Sequence, residues 1–327
     1  MIKHAYRWLD DRLGISSAIM PVVEHPVPRS INWWYVLGSA TLVAFTVQVV
    51  TGVALAFSYV PAPNSAYESL TFITNAAVLG KVVRGIHYYG SSAMVVLISL
   101  HLARTFLMGS FKFPRELNWL TGVFLFALTL AMAFTGQLLR WNQDAYWAVV
   151  VGAAQAARTP LVGGWLVQLL LAGQTVGGAT LTRFYATHVF LIPAAMFGLI
   201  AVHLYLIVRH GISEPPQAGR PVDRARYREW YDRLLHEEGV PFWPDAAWRD
   251  VVFALAVGAV VVALSILVGP VELGERADPT NLRAYPRPDW YFLWYFALLS
   301  LIPPATESLV IIGFPALIGV VLLILPF

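Results

Sequence analysis

The sequence predicts an all-α polytopic membrane protein, with a four-helix bundle followed by two further transmembrane helices. Of its 327 residues, 58% are hydrophobic and only 13% are charged, whereas about a quarter of the residues in soluble domains are charged. Six apolar stretches are each long enough to cross a hydrocarbon core of about 30 Å. A polar connector at 211–250, rich in Arg, Glu and Pro, separates the first four stretches from the last two.

Residues 1–30 mix Ile2, Tyr6, Trp8, Leu9 and Leu13 with charges. They lack the basic start and apolar core of a signal peptide, so an amphipathic segment lying on the membrane surface is expected. The predicted spans are 33–59, 88–107, 119–139 and 184–208 in a first domain (31–210), then 251–268 and 309–327 in a second (251–327). Residues 291–302 are apolar and aromatic but too short to span, and Pro303 and Pro304 follow them, which suits an interfacial or re-entrant helix. The loop 141–182 is long and weakly polar, with short helices expected at 153–157 and 165–171. Ordered loops of that length tend to line binding sites, so it reads as one wall of a cavity.

With alternate loops assigned to alternate sides, fourteen of the 22 Lys and Arg residues fall on the side of the amino terminus, among them Lys3, Arg104, Arg115, Arg209 and Arg220. Basic flanks favour the cytoplasmic face, which places the amino terminus there and the chain in a bacterial inner membrane.

The chemistry rests on four histidines within these spans or, for His87, at the edge of one. His87 and His101 are fourteen residues apart, and His188 and His203 fifteen. Fourteen residues turn a helix nearly four times, so both histidines of a span face one way, about 21 Å apart. Two such spans side by side offer a facing pair at each of two levels. Ionisable side chains are costly in the membrane, so a set in paired register points to function. A bis-imidazole pair suits a haem iron, whose macrocycle leaves two axial positions. With no cysteine in the chain, thioether-linked haem, iron-sulfur ligation and disulfides are excluded. Gly38 and Gly52 on the first span, and Gly122 and Gly136 on the third, repeat the fourteen-residue step and would let a flat macrocycle approach the backbone. Arg84, Arg104, Arg183 and Arg209 stand beside the histidines at the membrane boundaries, where guanidinium groups can hold anionic propionates. A polytopic transporter whose histidines relay protons is the alternative these residues leave open.

Further motifs sharpen the reading: Asn32-Trp-Trp, residues 48–52 and 84–101, Lys112-Phe-Pro-Arg-Glu-Leu117, Thr180-Leu-Thr-Arg-Phe-Tyr185 and Pro288-Asp-Trp-Tyr291. Through them the chain resembles the cytochrome b subunit of the cytochrome bc1/b6f family. The fifteen-residue spacing and Tyr146-Trp-Ala-Val149 resemble the b6f branch, although here the second half, which resembles subunit IV, is fused to the first. The chain stops one helix short of that pattern. The branch attaches an extra haem through a cysteine where this chain has Val36, so no covalent haem is expected.

The resemblance implies two non-covalent b-type haems, the outer on His87 and His188 and the inner on His101 and His203. It implies quinol oxidation at the outer face in a site of Pro288, Asp289, Trp290 and Tyr291, with Asp289 and Tyr291 catalytic. One electron would pass to a Rieske iron-sulfur protein and on to a c-type cytochrome. The other would cross through both haems to a quinone on the inner face, contributing to proton motive force. For that inner quinone, His210 and Asp250 are candidate contacts. A homodimer in a lipid membrane is implied, and nucleic acid is not an expected partner. Two departures stand out. Asp289 replaces the family's glutamate, and Gly136-Gln-Leu-Leu-Arg-Trp141 carries Arg140 where a proline is usual. Losing that proline is expected to remove a helix break, and Asp289 is a candidate cap for a helix starting at Trp290.

Overall fold

The computed structural model describes every residue except 218, 220, 221, 282, 284 and 286. Arg220, counted above among the inner-face cations, therefore lies outside the described residues. Hydrocarbon offers no partner to a backbone N–H or C=O, so a chain crossing it must satisfy those groups within helices. Six helical segments are long and apolar enough to cross: Trp33–Ala56, Gly80–Leu107, Glu116–Leu138, Gly178–His210, Phe242–Leu267 and Pro304–Ile324. The chain is an integral membrane protein.

In chain order, α1 (Ile2–Leu13) and α2 (Ile15–Val23) form the amino-terminal segment, with Gly14 between them at φ +60. Tyr6, Trp8, Leu13 and Ile19 are exposed there. After β1 (Pro26–Pro28) come α3 (Leu37–Ala56), α4 (Ala66–Asn75), α5 (Gly80–Leu107) and α6 (Glu116–Leu138). The second membrane helix begins at Gly80 and not at 88, because Lys81, Arg84 and His87 depress the hydropathy of a turn that is nonetheless helical. In the loop at the end of the bundle away from the amino terminus, labelled outer and its opposite inner, α7 (Gln143–Ala157) and α8 (Gly163–Leu171) are both longer than hydropathy suggested. Asn142 starts α7 by accepting a hydrogen bond from the Ala145 N–H at 3.0 Å. α9 (Gly178–Ala186) and α10 (Ile192–His210) flank a π-helical turn at Thr187–Leu191. The chain ends with α11 (Tyr227–Glu238), β2 (Gly239–Pro241), α12 (Ala247–Leu267), α13 (Trp290–Ser300) and α14 (Pro304–Ile324).

Within the membrane, α3 packs on α5 and α6 on α10, while α12 lies against the α3–α5 pair. Gly85 permits that last contact, since a Cβ there would lie 2.9 Å from the Ser265 Cβ. The principal core joins Ala40, Phe45, Met94, Ile98, Leu125 and Met196. These residues fall between the two histidine levels on each helix, so an apolar, close-packed layer separates the levels.

At the inner end the last carbonyls of α10 need partners. Arg115, only 7% exposed, supplies them: its Nε donates to the Gly211 carbonyl at 2.9 Å and a terminal nitrogen to that of His210 at 3.1 Å. Its other terminal nitrogen donates to the Tyr227 hydroxyl at 2.7 Å. Burial pushes the neighbouring Tyr231 phenol up to about 12, so it stays neutral and donates to the Ile212 carbonyl at 2.8 Å. β1 pairs antiparallel with β2, tying the amino-terminal segment to the connector.

Each buried carbonyl stripped of its donor costs about 1–3 kcal/mol. Arg115→Met is therefore expected to lower the thermal midpoint of the detergent-solubilised protein by several degrees. An unchanged midpoint in a melting curve would show that the inner end is held by other contacts.

Candidate histidine pairs and the outer cavity

His87 and His101 lie on α5, His188 lies in the π turn, and His203 lies on α10. The π turn accounts for the fifteen-residue spacing. A π turn accommodates one residue more than an α turn, so it absorbs the extra residue and returns His203 to the face of His188. Pro193 follows at the start of α10 and has no N–H to give the carbonyl four residues back, which favours a departure from α geometry there.

At the outer level the His87 and His188 ring centroids are 6.4 Å apart, with the ring planes at 81°. Two imidazoles facing one metal, each nitrogen about 2 Å from it, place their centroids about 6 Å apart. The spacing therefore fits an ion between the rings. At the inner level His101 on α5 and His203 on α10 stand against Gly38 and Gly122. Among the described residues no group of three or more His, Cys, Asp or Glu side chains gathers to hold a metal. Each level thus offers a pair of nitrogens, which suits an iron whose other positions are filled by a macrocycle.

The four glycines each lie against one of these rings. A Cβ at Gly38 would stand 3.1 Å from the His101 Cε1, at Gly52 3.3 Å from that of His87, at Gly122 3.6 Å from that of His203, and at Gly136 2.6 Å from that of His188. α3 makes room for the imidazoles of α5, and α6 for those of the partner span. The sequence reading assigned the glycines to macrocycle clearance, and here it is a histidine ring that stands against each.

A threonine precedes three of the glycines, and each has a use the sequence reading missed. Thr51 donates to the Val47 carbonyl at 2.6 Å, Thr121 to that of Leu117 at 3.0 Å, and Thr135 to that of Ala131 at 2.8 Å. Each Oγ1 also lies at hydrogen-bond distance from a ring nitrogen: His87 Nδ1 at 2.9 Å, His203 Nδ1 at 2.8 Å and His188 Nδ1 at 3.1 Å. These contacts hold Nδ1 against the flanking helix and leave Nε2, on the other side of the ring, for a metal. Leu37 precedes Gly38, so the arrangement is not repeated at His101. The signal in the sequence was the recurrent Thr-Gly pair.

The arginines differ in what they hold. Arg104 lies 3.6 Å above the Tyr35 ring, and its Nε and one terminal nitrogen are buried without a hydrogen-bond partner. An unspent buried cation beside the inner level fits an anionic ligand group such as a propionate. Arg84 lines the outer level but is engaged, donating to Thr74 Oγ1 at 3.1 Å and to the Val271 carbonyl at 2.8 Å. Arg183 is exposed and donates to the Gln168 and Leu169 carbonyls at the end of α8, and Arg209 is exposed at the end of α10.

A cavity of about 260 Å³ opens at the outer level. His87, His188, Gly52, Gly136, Arg84 and Asp289 all line it, so the motif of the second half meets the outer histidine pair. Tyr291 donates its hydroxyl to Asp289 Oδ2 at 2.8 Å. Burial, and then the adjacent carboxylate, push that phenol up, which keeps it a neutral donor. Asp289 stands at the first position before α13 but makes no side-chain cap, so the expected capping role gives way to the bond with Tyr291. Pro288 is half-buried, and Trp290 is exposed with its Nε1 3.3 Å from Ser92 Oγ.

The helix break expected to vanish with the proline persists. α6 ends at Leu138 and the chain turns back at Trp141, φ +48, so Arg140 sits in the turn with its side chain on the cavity. The inner candidates are not brought together. Asp250 accepts from Ser39 Oγ at 2.7 Å in an apolar groove beside α3, and among the described residues no hydrogen bond or ion pair joins it to His210.

Residues 22–211 match the family model described as Cytochrome b/b6/petB. Cytochrome b6 of Heliobacterium mobile is 43% identical over 210 residues, covering 64% of this chain and 99% of the relative. The menaquinol:cytochrome c reductase cytochrome b subunit of Bacillus subtilis (strain 168) is 42% identical over 224 residues, covering 66% of this chain and 100% of the relative. In fold, the chain is similar to a chain of a hyperthermophilic respiratory Complex III, with a TM-score of 0.83 and 26% identity over 98% of this chain and 82% of that one. The protein belongs to the cytochrome b/b6 family.

Proposed function

We propose that this chain is the di-haem cytochrome b subunit of a quinol-oxidising, bc-type electron-transfer complex. The observation that carries the reading is the outer cavity, where an imidazole pair and an ionisable carboxylate line one space reached from both halves of the chain. Haem bound at the two levels would supply one-electron carriers at two depths of the membrane. His87 with His188, and His101 with His203, are the pairs that would hold them. Thr51, Thr121 and Thr135 hold three of these rings with Nε2 free, and Arg104 offers its unspent donors to an anionic edge at the inner level. Arg84 holds the loop that follows α12 onto the outer wall.

In the quinol site Asp289 accepts a hydroxyl proton and passes it to the outer aqueous phase. A carboxylate so placed is a competent base for a bound hydroxyl. Tyr291 keeps the carboxylate aimed at the cavity, and Trp290 and Pro288 shape the mouth. We infer the remaining arrangement from the relatives, one of which is named for menaquinol and cytochrome c: a Rieske iron-sulfur protein and a c-type cytochrome as acceptors, a quinone site at the inner face, a homodimer, and an inner bacterial membrane with the amino terminus cytoplasmic. Two halves joined by the 211–250 connector then divide the work, the first holding haem and the second completing the quinol site.

Replacing His188 with Leu should remove the outer haem's band from the dithionite-reduced spectrum of the purified complex and leave the inner one. Two unaltered haems would refute the pairing. Asp289→Asn should slow quinol oxidation by about a hundredfold, within the range general bases contribute, with both haem bands retained. An undiminished steady-state rate would show that another group takes the proton.

A further inference from the structure

The end of α6 and the start of α13 meet on one wall of the outer cavity, and four polar side chains from these two ends interlock there. Gln137 is only 6% exposed. With its amide turned to satisfy both neighbours, it donates to Asp289 Oδ2 at 2.9 Å and accepts from an Arg140 terminal nitrogen at 3.2 Å. The Arg140 Nε donates to the Gln137 backbone carbonyl at 3.3 Å, which fixes the guanidinium in place. The same terminal nitrogen stands 3.9 Å from Asp289 Oδ1.

The two oxygens of Asp289 are thus unlike. Oδ2 receives Tyr291 and Gln137. Oδ1 makes no hydrogen bond among the described residues and faces Arg140 beyond hydrogen-bond distance. The side chains are mostly withdrawn from water, at 16% exposure for Arg140 and 26% for Asp289, so the cation's field at the carboxylate is screened less than at an open surface.

We propose that Gln137 and Arg140 are positioning residues of the quinol site, holding Asp289 by one oxygen so that Oδ1 is presented to the cavity as the proton-accepting atom. The inference rests on the reading that Asp289 takes the quinol proton. In that step the quinol O–H bond breaks and an O–H bond forms at Oδ1, and the proton is the only species transferred. Arg140 braces Gln137, and Gln137 and Tyr291 stop the short side chain from swinging away. The Asp289 and Arg140 replacements noted in the sequence therefore meet in one device.

The test measures kcat and KM for quinol oxidation by the intact complex carrying Arg140→Leu, or Arg140→Gln as a variant that keeps a polar contact with Gln137. Each is made with Asp289 intact and in an Asp289→Asn background. Misplacing a catalytic group by an ångström is enough to cost an order of magnitude or more, so with Asp289 intact each variant should lower kcat by about tenfold. KM should move little, the reduced haem bands should remain, and no further loss should appear in the Asp289→Asn background. An unchanged kcat while Asp289→Asn alone is slow, an equal loss in both backgrounds, or disappearance of the haem bands in both variants would overturn the inference and leave the proposed base standing. If Asp289→Asn alone retains the full rate, the proposed base falls and this inference with it.

Discussion

Two imidazoles held opposite one another in the membrane interior, their planes crossed, are the constraint around which the other contacts are arranged. The 6.4 Å separation of His87 and His188 requires α5 and the partner span to keep register over two levels. A helix of pure α geometry with its histidines fifteen positions apart would rotate the second ring away from the first, and the π turn at Thr187–Leu191 removes that rotation. Glycines on the flanking helices give each ring its space. Threonine hydroxyls on those helices bond Nδ1 of three of the four rings and fix their orientation. Bulk at the glycine positions, or loss of the π turn, would disturb the same pair of nitrogens.

The layer between the levels and the cavity beyond them follow from the same register. Met94, Ile98, Leu125 and Met196 fill the space separating the histidine pairs. The polar groups collect instead at the two ends, where they find partners or water. At the inner end Arg115 answers the free carbonyls of α10, and Arg104 keeps unspent donors beside the histidines. At the outer end Arg84 pins the Val271 carbonyl, Tyr89 donates to that of Gly269 at 2.8 Å, and Arg276 pairs with Glu68 at 2.6 Å. These ties bring the Pro288-Asp-Trp-Tyr291 segment against the outer histidines although it follows them by a hundred residues or more.

Much of this was legible from periodicity. The histidine and glycine steps follow helix geometry, the spans follow hydropathy, and the absence of cysteine limits the ligands to nitrogen. Three features were not legible, each for a physical reason. The span carrying His87 begins earlier than hydropathy indicated, because its first turns are helical but polar. The threonines contribute through hydrogen bonds between helices, and the recurrent Thr-Gly pair marks the positions without saying which neighbouring helix each hydroxyl meets. Arg140 and Asp289 are distant in the chain, and only the reversal at Trp141 and the entry to α13 put them on one wall. The four arginines looked equivalent in sequence, yet Arg183 is drawn to the end of α8 while Arg104 lies over Tyr35 and keeps two buried nitrogens without a hydrogen bond.

The central claim is that the four histidines form two axial pairs, and that the outer pair has crossed ring planes. Low-temperature electron paramagnetic resonance of the oxidised, purified protein tests both parts. Two low-spin ferric signals are predicted, with the outer one, absent from the His188→Leu protein, showing the large g anisotropy that near-perpendicular imidazole planes at 81° produce. High-spin iron at both levels, or an outer signal of the rhombic form given by parallel planes, would contradict the account.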